Sequence, residues 1–194
     1  MGLLVMILGL VLFLGIHTLP AQRDRRARVI AAFGEGGYKI FYALVSLAGL
    51  ALIIWGFAHY RATGWIDVWD PPKALKHITV ALMLPAVILV VASYIRGRIY
   101  TSVKHPMLAG VKLWAAAHLL ANGDLGAIVL FGSFLGWAVF DRISLKRRTD
   151  AGAPPIPVGG LTNDLIAVAV GIVAYLALAF VFHPVVIGVP VVGG

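Results

Sequence analysis

The apolar residues of this chain run in long, nearly unbroken stretches, not in the narrow stripe of a soluble helix or the alternation of a strand. Residues 3–20, 39–59, 77–95 and 165–187 each approach the roughly 20 mostly apolar positions that a membrane-crossing helix needs. Residues 106–121 and 125–140 are apolar but shorter, and only Asn122-Gly123-Asp124 separates them. Asn and Gly accept positive φ, so this reads as a tight turn. The two stretches are either two short spans or a re-entrant hairpin, which is allowed only where its backbone is buried in protein. The pattern predicts an all-α integral membrane helical bundle of six hydrophobic helices, the fourth and fifth short, forming one domain over residues 1–194.

The polar positions between these stretches orient it. Residues 21–39 carry five Lys/Arg, 96–112 four and 141–164 four, which is 13 of the 16 in the chain. Arg61, Lys73 and Lys76 remain, between the second and third spans. Basic residues concentrate in cytoplasmic loops, so the first, third and fifth loops are expected inside and both termini outside. The basic run Arg23, Arg25, Arg26, Arg28 follows the first apolar stretch. A cleaved signal peptide has the reverse order, so residues 3–20 are expected to be a retained span. The loop 64–72 (GWIDVWDPP) holds two tryptophans suited to a membrane–water interface. Residues 153–160 (APPIPVGG) read as a connector, and Pro85 is expected to kink the third span.

Composition agrees with this picture. The chain is 61% hydrophobic and 12% charged, with a mean hydropathy of +0.96, against about half and a quarter for soluble domains. The net charge of +8 follows from the basic loops, so membrane lipid is the expected surrounding and nucleic acid is not an expected partner. The absence of cysteine excludes thiolate metal sites and thiol nucleophiles. All eight carboxylates lie in loops or at span ends. A proton-driven pump normally needs an ionisable relay inside the membrane, so that class is disfavoured, as is paired-carboxylate catalysis.

Six histidines remain: His17, His59, His77, His105, His118 and His183. His59 and His77 flank the loop 64–72, where an imidazole costs little, and His183 beside Pro184 reads similarly as structural. His17 and His118 fall within apolar stretches, where an ionisable residue marks a functional-site candidate. Ala115 and Ala121 share the helix face of His118 and are expected to leave space beside it. His105 stands 13 residues before His118, a rotation of about 220° beyond three turns and a rise of roughly 20 Å. Those two cannot bind one metal from a straight helix, so any two-histidine site draws its other ligand from another span.

The run KHPMLAGVKLWAAAHLLANGDLGAIVLFGSFLGWAVFDRISLKRR closely resembles the NnrU family of bacterial membrane proteins, as do LFLGIHTLPAQR, YALVSLAGLALIIWG and the VWDPP loop. The resemblance covers most of the chain. It implies a bacterial inner (cytoplasmic) membrane protein linked to nitrite and nitric oxide reductase expression in denitrifying bacteria. The same pattern is similar to the 15-cis-zeta-carotene isomerases, membrane haem b proteins. Their proposed axial histidines fall by motif on His17 and His118, so the resemblance implies haem iron held by that pair; if residues 106–121 span fully, His105 on the cytoplasmic side is the reserve partner for His17, which lies near that end of its own span. Those isomerases carry a cysteine directly after the tryptophan, where this chain has Ala115; thiolate exchange is therefore excluded.

Three functions follow as expectations. The first is a haem b protein acting as a redox or gas-responsive element, or as an assembly factor, in nitrogen-oxide metabolism, with nitric oxide or a lipophilic small molecule as partner. The second is a haem-dependent cis-trans isomerase of a carotenoid-like polyene. The third is a cofactor-free membrane scaffold. A membrane methyltransferase, hinted at by the histidine–proline pair, is distant, because acidic residues near the cytoplasmic face are too few.

Overall fold

A computed structural model describes residues 1–147 and 158–191. All regular structure among them is helical, and one isolated antiparallel bridge, Asp67–Asp124, is the nearest approach to a strand pair. The helices are α1 (Gly2–Thr18, closed by a 3₁₀ turn, Leu19–Ala21), α2 (Arg23–Ala62), α3 (Lys73–Ala92), α4 (Arg98–Val103), α5 (Pro106–Ala121), α6 (Leu125–Lys146) and α7 (Leu161–Ala177). A π-helical segment, Leu178–Ile187, continues α7. Most of the connector expected at 153–160 lies outside the described residues.

Among the described residues five helices are long and apolar enough to cross a membrane: Gly2–Ala21, Arg23–Ala62, Lys73–Ala92, Leu125–Lys146 and Leu161–Ile187. α5, with 16 residues, rises only about 24 Å against a hydrocarbon core of about 30 Å. Large apolar side chains are exposed along the outward faces, among them Leu4, Leu8 and Val11 on α1, Leu47 and Ile54 on α2, and Val170 and Val173 on α7. Such faces suit lipid, not water.

The structure corrects several expectations. The stretch 21–39 is not a loop, because α2 starts at Arg23 and kinks at Gly34, whose φ of 72° suits glycine. Arg and Ala are good helix formers, so the basic run is helical although its polarity disguises it. The fifth helix is not short either, since α6 extends through Asp141–Lys146 to 22 residues. Its polar last turns had read as loop. Pro85 lies inside α3 without ending it. The last helix widens to π turns around Pro184, which has no N–H to give the regular ladder.

The helices form two compact units. The first comprises α1, α2, the following loop to Asp70, and α6. α1 and α2 run antiparallel with their backbones nearly touching: a Cβ on Gly9 would lie 2.8 Å from the Gly49 carbonyl, and one on Gly49 2.7 Å from the Phe13 nitrogen. Small residues at such a contact replace the hydrophobic drive that lipid removes. At the other side of this unit, Gly123 accepts from Val68 N–H (2.9 Å) and Trp69 N–H (3.2 Å), and Leu125 N–H donates to Ile66 (2.9 Å). The Asp124 carboxylate caps α6 by accepting from Ala127 N–H at 2.9 Å. The Asn122–Asp124 turn is therefore tied to the tryptophan-bearing loop, where Trp65 and Trp69 are exposed. Gly123 does not serve a positive φ, since the described positive-φ residues are Lys104, Gly34, Gly64 and Gly188. It is glycine because the Trp69 carbonyl occupies the place of a Cβ.

The second unit comprises α3, α4, α5, α7 and the π-helical segment. Thr79 Oγ1 donates to the Ala117 carbonyl (2.7 Å), joining α3 to α5, and Tyr175 Oη donates to Val80 (3.2 Å), joining α7 to α3. Asp164, buried at the start of α7, accepts from Ile99 N–H at 2.9 Å, and Asn163 Nδ2 donates to the Arg96 carbonyl at 2.8 Å. These bonds pin α4 and its preceding turn to α7.

Candidate functional site

The second unit holds a small apolar cavity of about 70 Å³. Val80, Met83 and Val87 of α3 line one side, Leu178, Ala179 and Val191 another, and the imidazoles of His118 and His183 face it. Their ring centroids are 6.3 Å apart, with the planes 31° from parallel. His118 is half-buried near the end of α5, and its Nδ1 lies 2.9 Å from the Trp114 carbonyl one turn earlier. That pairing makes Nδ1 the protonated nitrogen of the neutral ring and gives Nε2 the lone pair. His183 comes from the π-helical segment, whose wider turns move it off the α-helical register of α7. Two other polar groups border the cavity, and both are engaged with backbone carbonyls: Thr79 with Ala117 and Tyr175 with Val80.

His17 lies in the first unit, in the last turn of α1. Its Nδ1 is 2.6 Å from the Phe13 carbonyl, so it too presents Nε2 as the lone-pair nitrogen. Aromatic rings surround it: Phe13 stacks at 4.2 Å, Tyr42 is tilted at 5.2 Å and Trp137 meets it edge-on at 6.0 Å. The Trp137 Nε1 and the Ser46 hydroxyl are buried in this unit without a hydrogen-bond partner among the described residues.

The other sequence candidates fall out differently. His105 caps α5, accepting from Ala109 N–H at 3.1 Å, at the opposite end of that helix from His118. The helical spacing had separated them, and the straight run of α5 keeps them apart. His59 stacks on Trp55 and His77 is exposed, as interfacial residues should be. Ala115 has no exposed surface and Ala121 is half-buried; neither is among the residues that line the cavity beside His118. His183, read from the sequence as structural, is the residue that joins His118, and Met83 carried no signal of its own. The repeated histidine–proline pair, His105-Pro106 and His183-Pro184, was the only hint in the chain that His183 differed from an interfacial histidine. Among the described residues no three His, Asp or Glu side chains group as a metal site.

The family model described as NnrU protein matches residues 5–191. No curated protein and no solved structure matches the chain.

Proposed function

The chain belongs to the NnrU family, and on that premise we propose that it is a membrane protein whose histidines hold a redox-active metal centre serving nitrogen-oxide metabolism. The observation that carries this is the His118–His183 pair facing an apolar cavity, with His118 Nδ1 fixed on a backbone carbonyl. Metal-binding imidazoles are commonly oriented in this way, with the second ring nitrogen donating to a carbonyl. An apolar surrounding inside a membrane protein also gives lipid-soluble reactants such as nitric oxide access while excluding water. The family resemblance and the distribution of basic residues support a bacterial inner membrane location with both termini outside.

The resemblance implies haem b held by His17 and His118. The donors suit it, since both rings have Nδ1 on the carbonyl four residues earlier, and Trp137 Nε1, which has no hydrogen-bond partner among the described residues, lies in the unit of His17. Pockets for ligands of drug size or larger run to about 300–1,000 Å³, and the cavity within the second unit beside His118, at about 70 Å³, does not by itself hold a macrocycle. An absorption spectrum of detergent-purified protein, oxidised and reduced, with metal analysis of the same sample, tests both levels. A metal or a Soret band in the wild type that His118→Ala removes is the expected result. A folded preparation with neither metal nor haem, and a His118→Ala variant that functions as wild type, leaves the scaffold reading instead. Turnover of a poly-cis carotene by reduced protein would favour the isomerase.

A further inference from the structure

We propose that His118, His183 and Met83 form a site for one soft monovalent metal ion, copper(I), in the cavity of the second unit. The inference rests on the metal-centre reading above and names the metal.

Distance is the first argument. Rings with centroids 6.3 Å apart have facing nitrogens no closer than about 4 Å, allowing about 1.1 Å from centroid to nitrogen on each side. Hydrogen bonds need about 2.7–3.2 Å, so the imidazoles do not bond each other directly. Two ring nitrogens sharing one ion at about 2.0–2.1 Å each put the centroids about 6.3 Å apart when the ion lies in line between them and about 5.5 Å apart in a trigonal site, so the spacing found suits near-linear ligation by the imidazoles with the thioether as a further donor. The tautomer agrees, because Nδ1 of His118 is engaged with Trp114 and Nε2 is the ligating atom.

The donor set is the second. The cavity wall offers two neutral imidazoles and the Met83 thioether, and no carboxylate lines it. With no cysteine in the chain, no anionic side chain is available among the described residues that line the cavity. A dication here would leave two uncompensated charges in apolar surroundings, whereas a monovalent ion leaves one. Thioether selects soft metals, and copper(II) would seek oxygen and tetragonal geometry. The nearby oxygens of Thr79 and Tyr175 are engaged with carbonyls.

Size is the third. A cavity of about 70 Å³ exceeds the ~10–15 Å³ that one water-sized sphere requires and is far below a macrocycle. It fits an ion with a small gas or water molecule beside it.

The test is an anaerobic titration of the full chain in detergent with copper(I), against a colorimetric copper(I) chelator, with zinc(II) as the comparison metal. One equivalent of copper(I) should be retained, with zinc(II) at least 10-fold weaker. His183→Ala and His118→Ala should each weaken copper(I) at least 10-fold, and His17→Ala should leave it unchanged. X-ray absorption should show a sulfur neighbour to copper that Met83→Leu, which keeps the side-chain volume, removes. If His183→Ala fails to fold, His183→Gln carries the same expectation. No retention by folded wild type, retention indifferent to His183 and Met83, or tighter zinc(II) binding would each overturn the proposal. Haem measured in the same samples separates the two levels: a histidine-dependent Soret band without copper leaves the metal-centre reading standing, and loss of both removes it.

Discussion

Ser46 lies on the face of α2 that also carries Tyr42 and Gly49, by the i, i+3, i+4 rule. Its hydroxyl is buried without a partner among the described residues. A buried hydroxyl without a hydrogen bond costs roughly 1–3 kcal/mol by mutational measures. Ser46→Ala should therefore leave thermal stability in detergent unchanged or raise it. A clear fall in melting temperature would mean that the hydroxyl has a bound partner in the first unit. At this scale the sequence singled out His17 and His118, because intramembrane histidines are few. It gave no sign that His183 lies beside His118, a residue 65 positions away that only packing brings near.

At the scale of elements, helical glycines divide into two kinds that look alike in the sequence. Gly49 is pressed against α1, and an added Cβ would lie 2.7 Å from a backbone nitrogen that cannot move alone. Gly132, in α6, has no neighbour within 4 Å of such a Cβ. Gly49→Ala should push α1 and α2 apart and destabilise by about 1–3 kcal/mol, as overpacking does. Gly132→Ala should be neutral or stabilising by up to about 1 kcal/mol, the ordinary helix preference for Ala. Thermal melts of the two variants check the opposite signs, and a Gly49→Ala protein as stable as wild type would contradict the close contact. Hydropathy found the apolar part of each span but misplaced the ends of α2 and α6, because a helix continuing into polar residues looks like loop to an apolar count. The Asn122–Asp124 turn was legible as a turn, though for the wrong reason. Steric contact with Trp69, not backbone sign, requires its glycine.

At the scale of the molecule, orientation is the property that charge alone proposes. A cysteine-free chain permits a direct check with single introduced cysteines. Thr63→Cys should react with a membrane-impermeant maleimide from the outer side of spheroplasts, and Arg25→Cys only after permeabilisation. The opposite pattern would reverse the topology and with it the positive-inside assignment.

The sequence by itself determined that this is a helical membrane protein, where the apolar part of each long helix lies and which histidines deserve suspicion. These follow from local quantities: apolar length, charge placement and the cost of an ionisable group in lipid. Only the tertiary structure decided that the opening beside His118 is small and apolar, that His183 and Met83 share it, and that α5 ends at a turn bound to the tryptophan loop. Those are distances between residues far apart in the chain, set by how backbones close on one another. No pattern along the chain encodes them.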